Sequence, residues 1–446
     1  MPQRQPSMAP GKGERLFAIL VLLLASGAFM NLIGNDESTL DKGIGSVIMQ
    51  GIWSVIYLAT LFLLQRRCKG FLGALREEKL LFILVALTTV SVCWSDEPAF
   101  TFRRSVALMG TTLFGIYFAR RFCLADQIRI LSRVFGVVVI LSLFFVAVLP
   151  HYGIANADFG YAWQGVYGHK NNLGAAMALG VVVFIFRAIL DRRESLKWWV
   201  AVGFGLALLL MAHSSTGFVA CLLALSVFVI SPALRWSPRR AIPFFLGVGV
   251  IAGGAALWAL NNLTYVLSLI GRDPSFTSRT TIWMVSIVMI TQHPWLGYGY
   301  NEFWPGTGTD IVARFTHGFQ ASHAHNAILN LWLDVGLLGV VVFVLQYVKS
   351  LWAAVVAVRH TRAVEWLWPL IFLFFIAAYG LDESVILQRN GLSWILFTAV
   401  VLQISSFRVP QAAVSQLLAG KRAAVQHSGH GGAIAGIRGP GLGYTR

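Results

Sequence analysis

The sequence predicts an all-α protein that crosses a membrane about twelve times and carries one large external loop containing short helices. Three observations predict it. Of the 446 residues, 57% are hydrophobic and only 12% are charged, whereas soluble domains hold about 25% charged residues. Apolar runs of roughly 20 residues recur along the chain, the length a helix needs to cross a bilayer. The Lys and Arg residues fall in short segments between alternate runs, as the positive-inside rule requires of cytoplasmic loops. A membrane β-barrel would show short alternating segments, and the sequence shows none. The formal net charge of +16 is therefore loop charge. A nucleic-acid surface would need basic and aromatic residues clustered in a soluble domain, so nucleic acid is not an expected partner.

Residues 1–15 are polar and basic, with Arg4, Lys12 and Arg15, and form a cytoplasmic N-terminus. Residues 16–407 form the membrane domain. The first apolar run, Leu16–Gly34, is long enough for a retained span, although Ala25-Ser26-Gly27-Ala28 also suits a cleaved signal peptide. The later spans are expected at 44–64, 80–94, 105–119, 131–150, 172–190, 198–213, 216–231, 241–261, 327–348, 366–381 and 391–407. The runs at 80–94 and 105–119 are short for a crossing, so their ends extend or tilt. With the N-terminus inside, 27 of the 35 Lys and Arg lie inside. Outside remain Lys42, Arg103, Arg104, Lys170, Arg272, Arg279, Arg314 and Arg389. Topology explains an inside Arg. An outside Arg needs another reason: a solvated loop, a snorkelling anchor or a bound anion. The tail, 408–446, is rich in Gly, Ala and basic residues and is expected to be disordered in the cytoplasm. Cys68, Cys93, Cys123 and Cys221 show no metal spacing and read as buried small apolar residues. No P-loop or Rossmann glycine pattern is present, so a chemical step must draw its energy from the substrate.

The long stretch off the hydrophobic pattern is 262–326, the expected external loop. It carries Arg272, Arg279, Arg314, His293, His317, His323 and His325. His325-Asn326 stands where the loop re-enters the membrane as a helix, and Asn330 and Asp334 follow at i+4 spacing, giving that helix one polar face. The helix dipole disfavours an imidazolium there, which suits a neutral His325 as general base. An Asn cap beside an ordinary interfacial His reads equally well. A metal site from His317, His323 and His325 is a third reading, but it lacks an obvious carboxylate. Upstream, Ser278-Arg279-Thr280-Thr281-Ile282-Trp283 opens a helix too short to span, which stops at His293-Pro294. Arg279 in its first turn is opposed by the dipole and asks for an anion, either a pyrophosphate at headgroup level or a lipid headgroup.

Three smaller groups complete the outer face. Trp163, Tyr167, His169, Lys170, Asn171 and Asn172 crowd one span end; they suit an aromatic belt, or a sugar with a phosphate against Lys170. His213-Ser214-Ser215-Thr216-Gly217 is a tight turn. Asp382-Glu383-Ser384 with Arg389 reads as an acid–base group or a structural ion pair, the pair being favoured. Ionisable residues thus gather at the outer ends of spans, with Asp334 the main exception. A transporter would place its site near the midplane. The pattern points to a membrane enzyme working at the outer surface on a lipid-anchored anionic substrate.

His325-Asn326 is followed by nine residues and then Gly336-x-x-Gly339. With that pattern the chain resembles the O-antigen ligase and polymerase family. Arg279, Trp283, Pro294, Gly297 and Gly299 also look like the family's large-loop signature. Gly168-His169-Lys170-Asn171 and Trp94-Ser95, Pro98, Arg103-Arg104 look like its exopolysaccharide-polymerase branch. The resemblance covers roughly residues 90–400. It implies glycosyl transfer with no metal, cofactor or nucleotide sugar, at the periplasmic face of a bacterial inner membrane. The donor it implies is an oligosaccharide on undecaprenyl pyrophosphate. His325 matches the family's catalytic base and Arg279 its pyrophosphate-binding arginine. Around them, Lys170, His169, Asn172, Arg314, Asn326 and Arg104 are the expected substrate contacts. Two departures stand out. Val340-Val341 replace threonines common in ligases, and Ser215-Thr216-Gly217 stands where ligases resemble Ser-Arg-Gly. The second phosphate-binding Arg is missing there, with Lys170, Arg314 or Arg104 as substitutes. Polymerisation of lipid-linked repeats is the first expectation. Ligation to lipid A core and transport of a lipid-linked sugar are the alternatives. The partners implied are membrane lipid and proteins that set chain length or export the polymer.

Overall fold

The apolar runs fold into helices, as a chain must where the bilayer offers its backbone no hydrogen bonds. The structure, a computed structural model, describes residues 10–29, 44–67, 71–155, 160–262, 277–315 and 321–407. Lys42, Cys68, Arg272, His317 and the tail 408–446 lie outside these residues. The described fold belongs to one unit, Arg4–Ser406, apart from a second made of the two termini. Its helices in order are α1 Lys12–Ala25, α2 Ile44–Arg67, α3 Phe71–Glu77, α4 Lys79–Val90, α5 Pro98–Arg121, α6 Leu124–Val148, α7 Pro150–Gly153, α8 Lys170–Leu190, α9 Ser195–Met211, α10 Ser215–Ile230 and α11 Pro238–Asn261. Then follow α12 Thr277–Gln292, α13 Thr309–Phe315, α14 Ala327–His360, α15 Leu367–Gly380 and α16 Leu392–Ser405. Among the described residues the sole β pairing is an isolated bridge between Ile154 and Trp163.

Each of the twelve apolar runs holds a helix. Among the described residues, five helical segments are long and apolar enough to cross a membrane by length and composition: Val47–Arg66, Leu124–Val148, Lys170–Leu190, Ser215–Arg235 and Ala327–His360. Four shorter apolar helices accompany them. The run expected at 105–119 extends at its start, to Pro98, so α5 is 24 residues long. Pro98 opens it at N1, where no backbone N–H is needed. Large apolar side chains face outward on many helices, Val229 at 80% and Ile251 at 74% exposed. Water would not tolerate so much exposed apolar surface, and lipid does. Of the cysteines, Cys221 is buried as expected, whereas Cys93 and Cys123 are exposed. Cys93 closes the 3-10 turn Ser91–Cys93 after α4, and Cys123 is the N-cap of α6.

α8 lies at the centre, packed on α6, α9 and α10. Phe184 and Phe186 of α8 are fully buried, and Phe186 meets Trp368 of α15 edge to face. A second group joins α5 to α2, α4 and α16. Here side chains replace missing solvent: Trp394 Nε1 donates to Thr112 Oγ1 at 2.9 Å, and Gln403 Nε2 donates to the Ala119 and Phe122 carbonyls at 2.6 and 2.8 Å. At one end of the bundle the helix ends are tied by ion pairs. Arg121 meets Glu14 at 2.6 Å, Arg120 meets Glu77 at 2.6 Å, and Lys349 meets Glu78 at 2.8 Å.

α14 is broken. Val335 is non-helical and Gly336 has φ +69°. A break inside a membrane helix frees backbone groups that need partners. The loop after α12 supplies all four. Leu333 O accepts from Tyr298 N at 2.8 Å and Asp334 O from Gly299 N at 3.2 Å. Leu337 N donates to Pro294 O at 2.9 Å and Leu338 N to Trp295 O at 3.4 Å. These are the two helical bonds that the kink opens, each exchanged for a pair with the loop. The exchange needs backbone against backbone. A Cβ on Gly336 would strike the Trp295 carbonyl, and one on Gly297 (φ +68°) the Leu333 carbonyl. Gly297 and Gly336 are explained by this one contact, whereas a Cβ on Gly299 would strike Ser95 and one on Gly339 the Val335 side chain.

Gly336→Ala must therefore strain a positive φ and part the loop from the break. The strain alone costs about 1–3 kcal/mol. Its unfolding midpoint in detergent should fall well below wild type, while Leu338→Ala, at an exposed position, should move it little. A Gly336→Ala protein as stable as wild type would contradict the exchange.

Candidate active site

Hydrogen bonds run outward from the break to His325. Asn301 N donates to Asp334 Oδ1 at 3.0 Å, and Asn330 Nδ2 donates to Asp334 Oδ2 at 3.1 Å. Asn330 Oδ1 accepts from Ala324 N at 3.1 Å and from Trp304 Nε1 at 2.9 Å. Trp283 Nε1, one turn after Arg279 on α12, donates to Ala324 O at 3.1 Å. Both backbone groups of the residue before His325 are thus held, one by α14 and one by α12. Asn326 is the N-cap of α14. Its Oδ1 accepts from Ile328 N and Leu329 N, both at 3.0 Å, and its Nδ2 donates to Leu381 O at 3.2 Å. The cap therefore also docks α14 against the loop after α15. His325 itself has φ +47°, a backbone state uncommon outside glycine and asparagine.

That loop brings in Asp382 and Glu383. Arg279 makes an ion pair with Asp382 and lies 3.7 Å from Glu383 Oε1. Glu383 Oε2 stands 3.5 Å from His325 Nδ1 and 3.9 Å from His323 Nε2. Asn171 Nδ2 donates to Glu383 Oε1 at 3.4 Å. Thr216 Oγ1 donates to Asp382. The expected partnership of these carboxylates with Arg389 is corrected: Arg279 is their cation. Residues 382–383 pack beside the N-cap of α14, opposite α12, and that placement decides the pairing.

Burial works to raise the Glu383 carboxyl, but the nearby His325 Nδ1, His323 and the Arg279 guanidinium outweigh it and hold the group below the usual range. Burial pushes the His323 imidazole down to about 4, helped by His325 and Arg279 and opposed by Glu383. Burial also lowers His169. A carboxylate, neutral imidazoles and a guanidinium therefore share one partly exposed recess.

The other expected contacts divide. His169 caps α8, its Nδ1 accepting from Asn171 N at 3.2 Å, and its titration responds to Glu383, Lys170, His325 and Arg279. Lys170 follows as the first residue of α8. Asn172 is exposed; its neighbour Asn171 is the residue that reaches Glu383. Arg314 is exposed at the end of α13, and no contact with Glu383 or His325 is described for it. Arg104 lies under the Phe100 ring at 3.8 Å and donates to Asn301 O at 3.1 Å, bracing the loop at the break. Asp382, Glu383, Thr216 and Asn171 are the members sequence reasoning missed. The sequence signal for the carboxylates was there, two adjacent acids in an outer loop, but nothing in it named their partners.

His323, His325 and Glu383 offer three metal-ligand atoms within 4.8 Å of one another. The structure supplies the carboxylate that the histidine-only reading lacked. The donor set nevertheless fits poorly. His325 N donates to His323 Nδ1 at 3.1 Å, which places the His323 proton on Nε2, the nitrogen facing Glu383. A metal would have to displace that proton and share the carboxylate with Arg279. The cluster is built as hydrogen bonds and ion pairs.

Residues 200–344 match the family model described as O-antigen ligase. The match runs from α9 through α10, α11, α12, the loop at the break and α13 to the N-terminal half of α14. The chain is also similar to the exopolysaccharide production protein ExoQ of Rhizobium meliloti (strain 1021), 24% identical over 285 residues, 60% of this chain and 63% of that protein. The alignment thus spans less than two thirds of the relative's length. The chain resembles the O-antigen ligase family, and it is a multi-pass helical membrane protein.

His323 gives the site a pH signature. Its folded value of about 4 lies below the ordinary 6.5. Above pH 6.5 neither state binds the proton. As pH falls, the unfolded chain takes it up first, so stability drops between pH 6.5 and about 4. Glu302, pushed up to about 7 by burial and by Asp96 and Glu97, acts in the opposite sense. The comparison is therefore between proteins. On going from about pH 7 to about pH 5 the unfolding midpoint should fall further in wild type than in His323→Gln. Equal falls would contradict the burial of a neutral ring.

Proposed function

We propose that the protein polymerises oligosaccharide repeats carried on a polyprenyl pyrophosphate, at the external face of the membrane. The observation that carries this reading is the convergence of Arg279, Glu383 and His325, from three separate segments, at the outer end of a membrane helix. The family match and the relative named for exopolysaccharide production support the substrate class. Twelve spans, both termini in the cytoplasm and an external loop over 262–326 complete the proposed topology; the pairing of Glu14, Glu77 and Glu78 with basic residues at the far helix ends favours it.

In the transfer, an acceptor sugar hydroxyl attacks the anomeric carbon of the donor glycan. A new C–O bond forms as the bond to the pyrophosphate oxygen breaks. The polyprenyl pyrophosphate leaves with the electron pair, and the hydroxyl proton passes to His325. A single displacement inverts the anomeric centre. The charge growing on the leaving group needs a fixed cation, and Arg279 is that cation. Asp382 holds it until the pyrophosphate takes its place. His325 contributes ~10²–10⁴-fold as base.

Ligation to lipid A core is disfavoured by one observation. Thr216, where ligases resemble arginine, is committed to Asp382. Transport is disfavoured because the central buried carboxylate, Asp334, is engaged by Asn301 and Asn330.

The glycans of a strain lacking the protein test the reading. Single repeats left on the lipid with long polymer gone are expected. Long polymer made but never attached to lipid A would mean ligation, and repeats trapped inside would mean transport. Arg279→Ala and His325→Ala should each fail to restore long polymer while still accumulating in the membrane. Normal polymer from either variant would remove that residue from the mechanism.

A further inference from the structure

We infer that His323 and Glu383 act as positioning residues that fix the tautomer of His325, keeping its proton on Nδ1 and leaving Nε2 open to the acceptor. The inference rests on the reading of His325 as base and assigns a role to two residues which that reading leaves unexplained.

A backbone amide sets the first constraint. His325 N donates to His323 Nδ1 at 3.1 Å. A neutral imidazole has one N–H and one lone pair. The lone pair of His323 is therefore used on Nδ1, and its proton sits on Nε2. Nε2 faces Glu383 Oε2 at 3.9 Å. The ring cannot turn to offer a lone pair to Glu383 without losing the amide.

Glu383 is divided between two tasks. Oε1 receives Asn171 Nδ2 at 3.4 Å and faces Arg279 at 3.7 Å. Oε2 faces the two histidines. An ionised carboxylate only accepts. Of the two His325 tautomers, only the one with hydrogen on Nδ1, 3.5 Å from Oε2, satisfies both partners. The two separations are long, as catalytic contacts often are before substrate closes a site. Asp382 does not compete, since Arg279 and Thr216 hold it.

The consequence is directional. Nε2 carries a lone pair with which to take the hydroxyl proton. The imidazolium that results keeps its Nδ1–H against the Glu383 carboxylate, where the positive charge is stabilised. The proton then leaves from Nε2 to water at the outer surface. Neither Glu383 nor His323 touches the sugar.

The test reads the tautomer and needs no substrate. Full-length protein labelled with ¹⁵N-histidine is purified in detergent, and long-range ¹H–¹⁵N correlations are recorded at neutral pH. The His325 signals are those lost in His325→Ala. The expected result is a protonated Nδ1 and a bare Nε2 in wild type, and loss of that single form in Glu383→Ala. A protonated Nε2 in wild type would overturn the inference, and so would an unchanged His325 in Glu383→Ala. If the alanine variant fails to accumulate, the wild-type spectrum alone decides. A second readout is polymer formed in the deletion strain. Glu383→Ala should fall by ~10²-fold or more. The double variant with His325→Ala should be no worse than His325→Ala alone, since residues acting as a unit are not additive. Independent, additive losses would mean a structural role for Glu383. Normal polymer from His325→Ala, with the tautomer as expected, would defeat the base assignment and leave the tautomer assignment standing.

Discussion

The four backbone groups freed at Val335–Gly336 are the constraint on which the rest of the structure depends. Inside a membrane they cannot be left to water, and the segment Pro294–Gly299 satisfies each in turn. That exchange fixes the loop after α12 against α14. From there, Asp334 and Asn330 carry the register outward to Ala324, and Trp283 carries it across to α12. Arg279 and His325 lie 46 positions apart in the chain, yet both reach Glu383, because α12 and α14 hold the same residue, Ala324. A helix broken only to be mended by another segment trades local regularity for a rigid platform under a site.

On that platform the electrostatics are dense. Arg279, two carboxylates and three histidines occupy one recess, and each charge has a named partner. Such a cluster is a weak source of stability, because burying charges costs as much as their attraction returns. In the proposed mechanism its value lies in preorganisation: Arg279 as cation and His325 as base would be held ready before substrate arrives. Asp382 acts as a resident anion on Arg279, and Thr216 gives that carboxylate a second hold. The residue that looks like a lost arginine in the sequence thus takes part in the same network by hydrogen bonding.

Much of the fold was legible. A run of fifteen to twenty apolar residues has few other states than helix, so each of the expected runs holds one. Arg279, Asn326 and His325 were legible because capping, helix length and the Pro294 stop are local rules. What was hidden was long-range. Sequence proximity favoured Arg389 for Asp382 and Glu383, seven and six positions away, whereas the cation is Arg279, more than a hundred positions upstream. Asn171 and Asn172 are indistinguishable as letters; the cap geometry of His169 turns the first inward. The break in α14 was hidden too, since Asn326, Asn330 and Asp334 keep perfect helical spacing up to the residue before it.

The central claim is that this cluster moves a glycan from a polyprenyl pyrophosphate to a sugar hydroxyl. The most direct measurement is made on the purified protein in liposomes, given lipid-linked repeats extracted from a strain lacking it. Released polyprenyl pyrophosphate is counted against glycosidic bonds formed, and the new linkage is read by NMR. The account predicts one pyrophosphate released per bond, an inverted anomeric centre, and neither event with Arg279→Ala. Bonds formed without that release, or with retained configuration, would contradict it.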